Sequence, residues 1–257
     1  LLAFDEKGKP DMNRGTRHAG WAVALFGLLS MRVFAAEPSQ QQAADPKAYL
    51  AHVSDLFKKE WPANRTVNIV CHGHSVPAGY FRTPAVDSPN AYPHLLFMGL
   101  KERFPVAVIN VIVTAIGGEN SSGGAARFEK DVLACKPDVV TIDYGLNDRG
   151  LGLERTRNNL VGMIKKSQEQ NVAVILLTPT ADTGAKLDNP NDPLNQQAEL
   201  IRSLSKEYRV ALVDSLAAFQ AAIKNGAKLD DLMSQGNHPN RKGHDLVAER
   251  LLEWFPQ

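Results

Sequence analysis

Five short runs of apolar, largely β-branched residues recur along the chain, at 66–71 (TVNIVC), 106–114 (VAVINVIVT), 138–144 (DVVTIDY), 172–178 (VAVILLT) and 209–213 (RVALV). The runs are continuous rather than alternating, which is the pattern of strands covered on both faces. Helical patterns separate them, at 92–103, 124–134, 153–169, 194–207 and 241–254. Strands that alternate with helices connect through right-handed crossovers, and these build a parallel sheet between two helical layers. The expected fold class is therefore α/β, a three-layer α/β/α sandwich on about five parallel strands. A further helix is expected to open the domain, where Asp45 and Pro46 supply a cap and a first-turn proline ahead of Leu50, Val53, Leu56 and Phe57.

Of the 257 residues, 44% are hydrophobic and 22% charged, enough for one sizeable core. The organisation expected is an upstream piece plus secretory signal over 1–35, a polar linker over 36–44 and a single domain over 45–257. Arg14 and Arg17 precede an apolar run at 21–31, and Val33-Phe34-Ala35-Ala36 offers small residues for cleavage after Ala35. The run is short for a bilayer and Arg32 interrupts it, so no stable membrane insertion is expected and the protein is placed as secreted or periplasmic. Residues 36–257 carry 24 basic and 25 acidic side chains, which leaves no electrostatic footprint for nucleic acid. Cys71 and Cys135 lie beside core runs and are expected as free thiols. His72 and His74 flank Gly73, but no third ligand stands at metal spacing, so neither a metal nor another cofactor is expected.

The carboxyl ends of parallel strands point one way, so the loops that follow them converge. Those loops hold Gly73-His74-Ser75, Ile116-Gly117-Gly118-Glu119-Asn120 and Gly145-Leu146-Asn147-Asp148, and a fourth segment, Asn237-His238-Pro239-Asn240, opens the last helix. A serine hydroxyl becomes a nucleophile when a base takes its proton, and an imidazole with a pKa of about 6.5 suits that near neutrality. Ser75 and His238 are the candidates. The oxyanion formed on attack needs preorganised donors, which the backbone N–H groups of Ser75 and Gly118 and the side-chain amide of Asn147 can supply. Each residue also has a plain reading. Ser75 is a turn or cap serine, Gly123 and Gly124 a tight turn, Asn147 and Asp148 a helix cap, and His238 a loop residue that leaves Asn240 to cap the last helix. His244 is expected on the surface. The irregular stretch 181–195 is expected to overhang the site.

The order Ser75, Gly118, Asn147, His238, within GHS, AIGGENSS, GLND and NHPN, resembles the four sequence blocks of the SGNH/GDSL hydrolases, esterases and lipases with a flavodoxin-like three-layer fold. The resemblance runs from about residue 64 to the C-terminus. It implies Ser75 as nucleophile, Gly118 and Asn147 as oxyanion partners and His238 as base. Two positions depart from the family pattern. His74 stands where an aspartate usually precedes the serine, and Gln235 stands where an aspartate usually lies three residues before the histidine. In a serine protease the amide replacement of the triad carboxylate costs about 10⁴ in turnover. Either a backbone carbonyl or the Gln235 amide oxygen orients His238, or Asp230 or Asp231 reaches it; a dyad with an uncharged orienter is the preferred expectation. His74, Glu119, Asn120 and Asp148 adjoin the presumed pocket as substrate contacts or as structural polar groups. The resemblance implies a secreted esterase acting on a short-chain ester, of a small molecule or a carbohydrate, with a sugar O-acetyl group as one form of it. A catalytically impaired carbohydrate-binding module on the same scaffold and a lipase or lysophospholipase are the alternatives.

Overall fold

The sheet has the strand order β2-β1-β3-β4-β5, all neighbours parallel, in the computed structural model, which describes residues 43–257. Its strands are β1 (Thr66–Gly73), β2 (Val108–Val113), β3 (Val139–Asp143), β4 (Ala173–Leu177) and β5 (Ala211–Val213). The expected signal segment and most of the expected linker lie outside the described residues. Along the strands successive side chains serve opposite cores, as the twofold period of a strand requires. Val67, Ile69 and Cys71 join one cluster with Ile109, Val139, Ile175 and Leu177, whereas Val70 joins the other with Val140, Ile142, Val174 and Leu176. Both faces of β1, β3 and β4 are buried, which is why those runs are continuous, whereas β2 at the sheet edge leaves Val108 and Val113 exposed and departs from the expected two-sided cover.

The first core is closed by α1 (Ala51–Phe57), α3 (Tyr92–Arg103), α7 (Ser215–Lys224) and α8 (Arg241–Leu252), and the second by α4 (Ser121–Arg127), α5 (Leu153–Glu169) and the Ile201 and Leu204 stripe of α6 (Pro193–Tyr208). This is the expected three-layer sandwich. Polar caps set several helix starts. Asp192 accepts the Leu194 N–H ahead of a first-turn proline, Asp214 accepts that of Ala217, and Asn240 accepts those of Lys242 and Gly243.

Four local expectations are corrected. Residues 46–50 form turns, and α1 begins only at Ala51 without a side-chain cap; Asp45 instead accepts the Lys47 N–H at 3.0 Å. Gly123 and Gly124 are not a turn. Asn120 Oδ1 accepts the Ser122 and Gly123 N–H groups at 3.1 and 3.4 Å and starts α4 ahead of them, so both glycines are helical. After Arg127 the helix widens into a π-helical stretch, Phe128–Val132. Helix α7, absent from the apolar periodicity noted above, follows the Asp214 cap directly. His244 is fully buried: its Nδ1 accepts the Tyr92 N–H at 3.2 Å and its ring stacks on Phe81.

Both cysteines are free, and burial pushes the Cys71 thiol up to about 12. No helix of the described residues is long and apolar enough to cross a membrane. The stretch after β4 docks on the segment that carries His238, through a bond from the Thr183 N–H to the Gly236 carbonyl at 2.8 Å.

Candidate active site

Strand β1 ends at Gly73, and the chain turns through His74 into a four-residue helix, α2 (Ser75–Ala78). The turn lifts Ser75 to the carboxyl edge of the sheet. From the far end of the sequence a small antiparallel pair, β6 (Met233–Gln235) and β7 (His238–Pro239), brings His238 to the same edge. The Ser75 Oγ lies 2.9 Å from His238 Nε2, across 163 residues of chain. Both residues are nearly enclosed, with 4% and 6% of their surface exposed.

What faces the other imidazole nitrogen decides the tautomer. The Phe81 carbonyl, which can only accept, lies 2.9 Å from His238 Nδ1. The Nδ1 therefore carries the proton and Nε2 is left to accept from the Ser75 hydroxyl. Gln235 does not supply the acceptor. Its Oε1 is taken by the Thr83 N–H at 2.9 Å, which fixes the amide so that Nε2 donates to Thr83 Oγ1 at 3.1 Å and sits 3.0 Å from Nδ1. That contact sets two N–H dipoles side by side. Asp230 and Asp231 are exposed, and neither forms a hydrogen bond or ion pair with His238, so the carboxylate alternative is corrected. Burial holds the His238 imidazole below its ordinary pKa; the Phe81 carbonyl opposes this and nearby His74 adds to it. The ring is accordingly neutral at neutral pH.

Gly118 and Asn147 share a cleft of about 400 Å³ with Ser75 and His238. Gly118 has φ +76°, a backbone that side-chain-bearing residues rarely adopt, and open space where a Cβ would stand. Among the described residues no hydrogen bond engages the backbone N–H of Ser75 or of Gly118. Asn147 Nδ2 donates one of its two protons to the Glu119 carbonyl at 2.9 Å, which leaves the other for the cleft. Tyr80, Thr83, Gly117 and Asn237 complete the lining. A roomier groove of about 540 Å³ runs between β2 and α3, but no nucleophile and base are hydrogen-bonded within it.

Four suggested contacts prove to be structural. His74 is fully buried, its Nδ1 accepting the Val76 N–H at 3.3 Å and its Nε2 lying 3.5 Å from Asp143 beneath the site. Asp148 is also fully buried, and its two oxygens accept the Ser121 and Gly145 N–H groups at 2.7 and 2.8 Å. Asn120 is the cap of α4. Glu119 turns its carboxylate away from the cleft to Arg127 and Tyr144. His72 bonds Thr114 and Gly124, so the two histidines that flank Gly73 serve different partners.

A family model described as "GDSL-like Lipase/Acylhydrolase family" matches residues 71–246, a span that contains all four blocks. The chain belongs to this SGNH/GDSL hydrolase family. It is thus a carboxylic ester hydrolase by family. It is 26% identical to an acetylxylan esterase of Geobacillus stearothermophilus over 168 residues, which covers 60% of this chain and 75% of that one. It is 30% identical to the esterase TesA of Pseudomonas aeruginosa over 148 residues, 56% of this chain and 66% of that one. The crystal structure of the Geobacillus acetylxylan esterase superposes with a TM-score of 0.65 at 23% identity, covering 74% of this chain and 94% of that one, which establishes the SGNH hydrolase fold. Among the structures of that esterase are catalytic mutants with a serine, a histidine or an aspartate replaced by alanine.

Sequence reasoning allowed a backbone carbonyl as the orienter of His238 but did not single out Phe81. Its contribution is a backbone carbonyl, and no residue type signals one.

Proposed function

We propose that the protein is an exported serine esterase that removes short acyl groups, acetyl groups on sugars in particular, through an acyl-enzyme on Ser75. The observation that carries this reading is the 2.9 Å bond between Ser75 Oγ and the one imidazole nitrogen of His238 left free to accept. As Ser75 Oγ attacks the ester carbonyl, its proton passes to His238 Nε2. The carbonyl oxygen becomes an oxyanion facing the N–H groups of Ser75 and Gly118 and the Asn147 amide, each such donor being worth about 3 kcal/mol in the transition state. On collapse His238 returns the proton to the departing alkoxide. Water then loses a proton to His238, attacks the acyl-enzyme and releases the acid and the free serine.

The dyad works without a carboxylate partner because the Phe81 carbonyl fixes the tautomer. A short acyl group is supported by Tyr80, whose ring packs against Gly117 so closely that a Cβ there would lie 2.9 Å from it. The sugar substrate is supported by likeness to the acetylxylan esterase, and export by the basic-then-apolar N-terminal pattern ending at Ala35. A lipase would want a wider apolar surface around the cleft.

The test compares wild type with Ser75→Ala on p-nitrophenyl esters from acetate to octanoate and on acetylated xylo-oligosaccharides, with fluorophosphonate labelling and peptide mapping. The expected result is a loss of three orders of magnitude or more in the variant, on the scale of removing a triad serine, with acetate the preferred acyl group and the label on Ser75. Wild type no faster than the variant would leave the impaired binding module as the surviving description.

A further inference from the structure

Glu119 is held far more firmly than a loop residue beside a cleft needs to be. Arg127 grips its carboxylate bidentately, Nε to Oε1 at 2.8 Å and Nη2 to Oε2 at 2.6 Å, and the Tyr144 hydroxyl donates to Oε2 at 2.7 Å. All three side chains are largely or wholly enclosed, and the two hydrogen-bonding partners hold the carboxyl below its usual range against the opposing effect of burial. The rest of the structure makes room for this. A Cβ on Gly123 would lie 2.9 Å from Glu119, and one on Gly124 would lie 2.1 Å from the Tyr144 hydroxyl, so the glycine pair of α4 admits both side chains. Tyr144 is in turn tied to His72, 3.2 Å away, on β1.

The backbone of the same residue touches both donors beyond Ser75. Its amide follows Gly118 directly in the chain, and its carbonyl accepts the Asn147 Nδ2 proton at 2.9 Å. Gly118 itself has no side chain to anchor it and an unusual φ. The turn that carries it is tied to the end of β1 through the Ile116 N–H on the Gly73 carbonyl at 3.0 Å and closed by the Glu119 N–H on the Ile116 carbonyl at 3.2 Å, and the Glu119 side chain holds its far end.

We infer that Glu119 is a positioning residue, which sets the spacing between the Gly118 N–H and the Asn147 amide by clamping its own side chain to Arg127 and Tyr144. This inference rests on the esterase reading. It acts through the backbone and touches no substrate atom. The carboxylate is what makes the clamp rigid, since a charge-assisted bidentate bond and a third donor fix the side chain in one place. Without it the Gly118 loop keeps its backbone bonds to Gly73 and to Asn147 but loses the side-chain clamp that fixes its far end.

The test is Glu119→Gln in the full chain, with Tyr144→Phe as a second variant that removes one hydroxyl. Each is followed by circular dichroism, by kcat and KM on p-nitrophenyl acetate, and by the Ki of a phenylboronic acid, which forms a tetrahedral adduct on the serine. A misplaced donor costs less than a lost one, so kcat for Glu119→Gln is expected to fall about ten- to a hundred-fold with KM unchanged within two-fold. The boronate Ki is expected to rise by a similar factor, because a tetrahedral mimic draws on the same donors as the transition state. Tyr144→Phe is expected to shift both quantities the same way by a smaller factor. A fall in kcat with an unchanged Ki, or folded variants with wild-type kinetics, would overturn the inference. If Glu119→Gln does not fold, the Tyr144→Phe pair of readings decides alone. Wild type no faster than Ser75→Ala removes the esterase reading and this inference with it, whereas an active wild type beside unaffected variants removes only the inference.

Discussion

Replacing Gln235 by glutamate is a sharp probe of how His238 is oriented, because the two side chains have the same size and differ in what they present to Nδ1. In the wild-type chain an N–H donor stands 3.0 Å from that nitrogen, where it disfavours a second proton on the ring. In Gln235→Glu the Thr83 N–H retains its acceptor, and a carboxylate oxygen takes the place of the donor. An opposite charge within this range raises an imidazole pKa by about one to three pH units, or about 1.4 to 4 kcal/mol of preference for the imidazolium. Gln235 is partly open to solvent, which places the expected change at the lower end, about one to two pH units. The base must be neutral to act, so the acid limb of kcat/KM moves to higher pH by that amount. The plateau above the limb rises, but by much less than the 10⁴ attributed to a triad carboxylate, since the Phe81 carbonyl already secures the tautomer. The assay is kcat/KM on p-nitrophenyl acetate from pH 4 to 10 for both proteins. An acid limb that stays in place or moves down would refute the assignment of Gln235 Nε2 to the face of Nδ1. A plateau gain near 10⁴ would show that Phe81 orients nothing.

Alanine at both Asp230 and Asp231 is expected to leave kcat/KM within two-fold of wild type on the same substrate, because both carboxylates are exposed and neither is bonded to the imidazole; a loss of two orders or more with folding intact would restore a charged orienter. Folding stability should fall as the pH drops below about 6.5, since burial pushes His72 down to about 4 and His244 down to about 3 while unfolded imidazoles titrate near 6.5. The unfolded chain then binds protons that the folded one refuses, which costs up to about 1.4 kcal/mol per pH unit for each histidine until its folded pKa is reached. Urea unfolding at pH 7, 6, 5 and 4 measures this slope, and a flat profile over that range would contradict the burial of both rings.

Ser75, Gly118, Asn147 and His238 are legible in the sequence because parallel-strand topology sends strand-end loops to one edge, and each of the four carries a side chain or a glycine with recognisable chemistry. The central strands are legible for a related reason: two-sided burial writes an unbroken apolar run, although the run of β2 at the edge is as unbroken while being partly exposed. Most of the failures have their cause in contacts that cross the fold, with His244 the exception. His244 sits among Arg241, Lys242 and Asp245, which mask it, yet it lies three and seven residues before Val247 and Leu251 on the buried stripe of α8. Periodicity alone contained that signal. Gly123 and Gly124 look like a turn until Glu119, for the first, and Tyr144, just beyond β3, for the second, are seen to fill the space a side chain would take. Glu119 and Asp148 stand beside the site in sequence, and only packing reveals that their carboxylates point elsewhere.

The acceptor that Phe81 offers to His238 has one property that side-chain partners lack: every amino acid has it. No single codon change at position 81 deletes a peptide oxygen, so an alanine there would act only through the loss of the ring and never through the acceptor itself. Vulnerability moves instead to whatever holds residue 81 in place, namely the Phe81 N–H bond to the Ala85 carbonyl at 3.1 Å on one side of it and the stacking of the Phe81 ring on His244 at 5.1 Å between centroids. Damage to such a centre would first be felt through residues that never meet the ester.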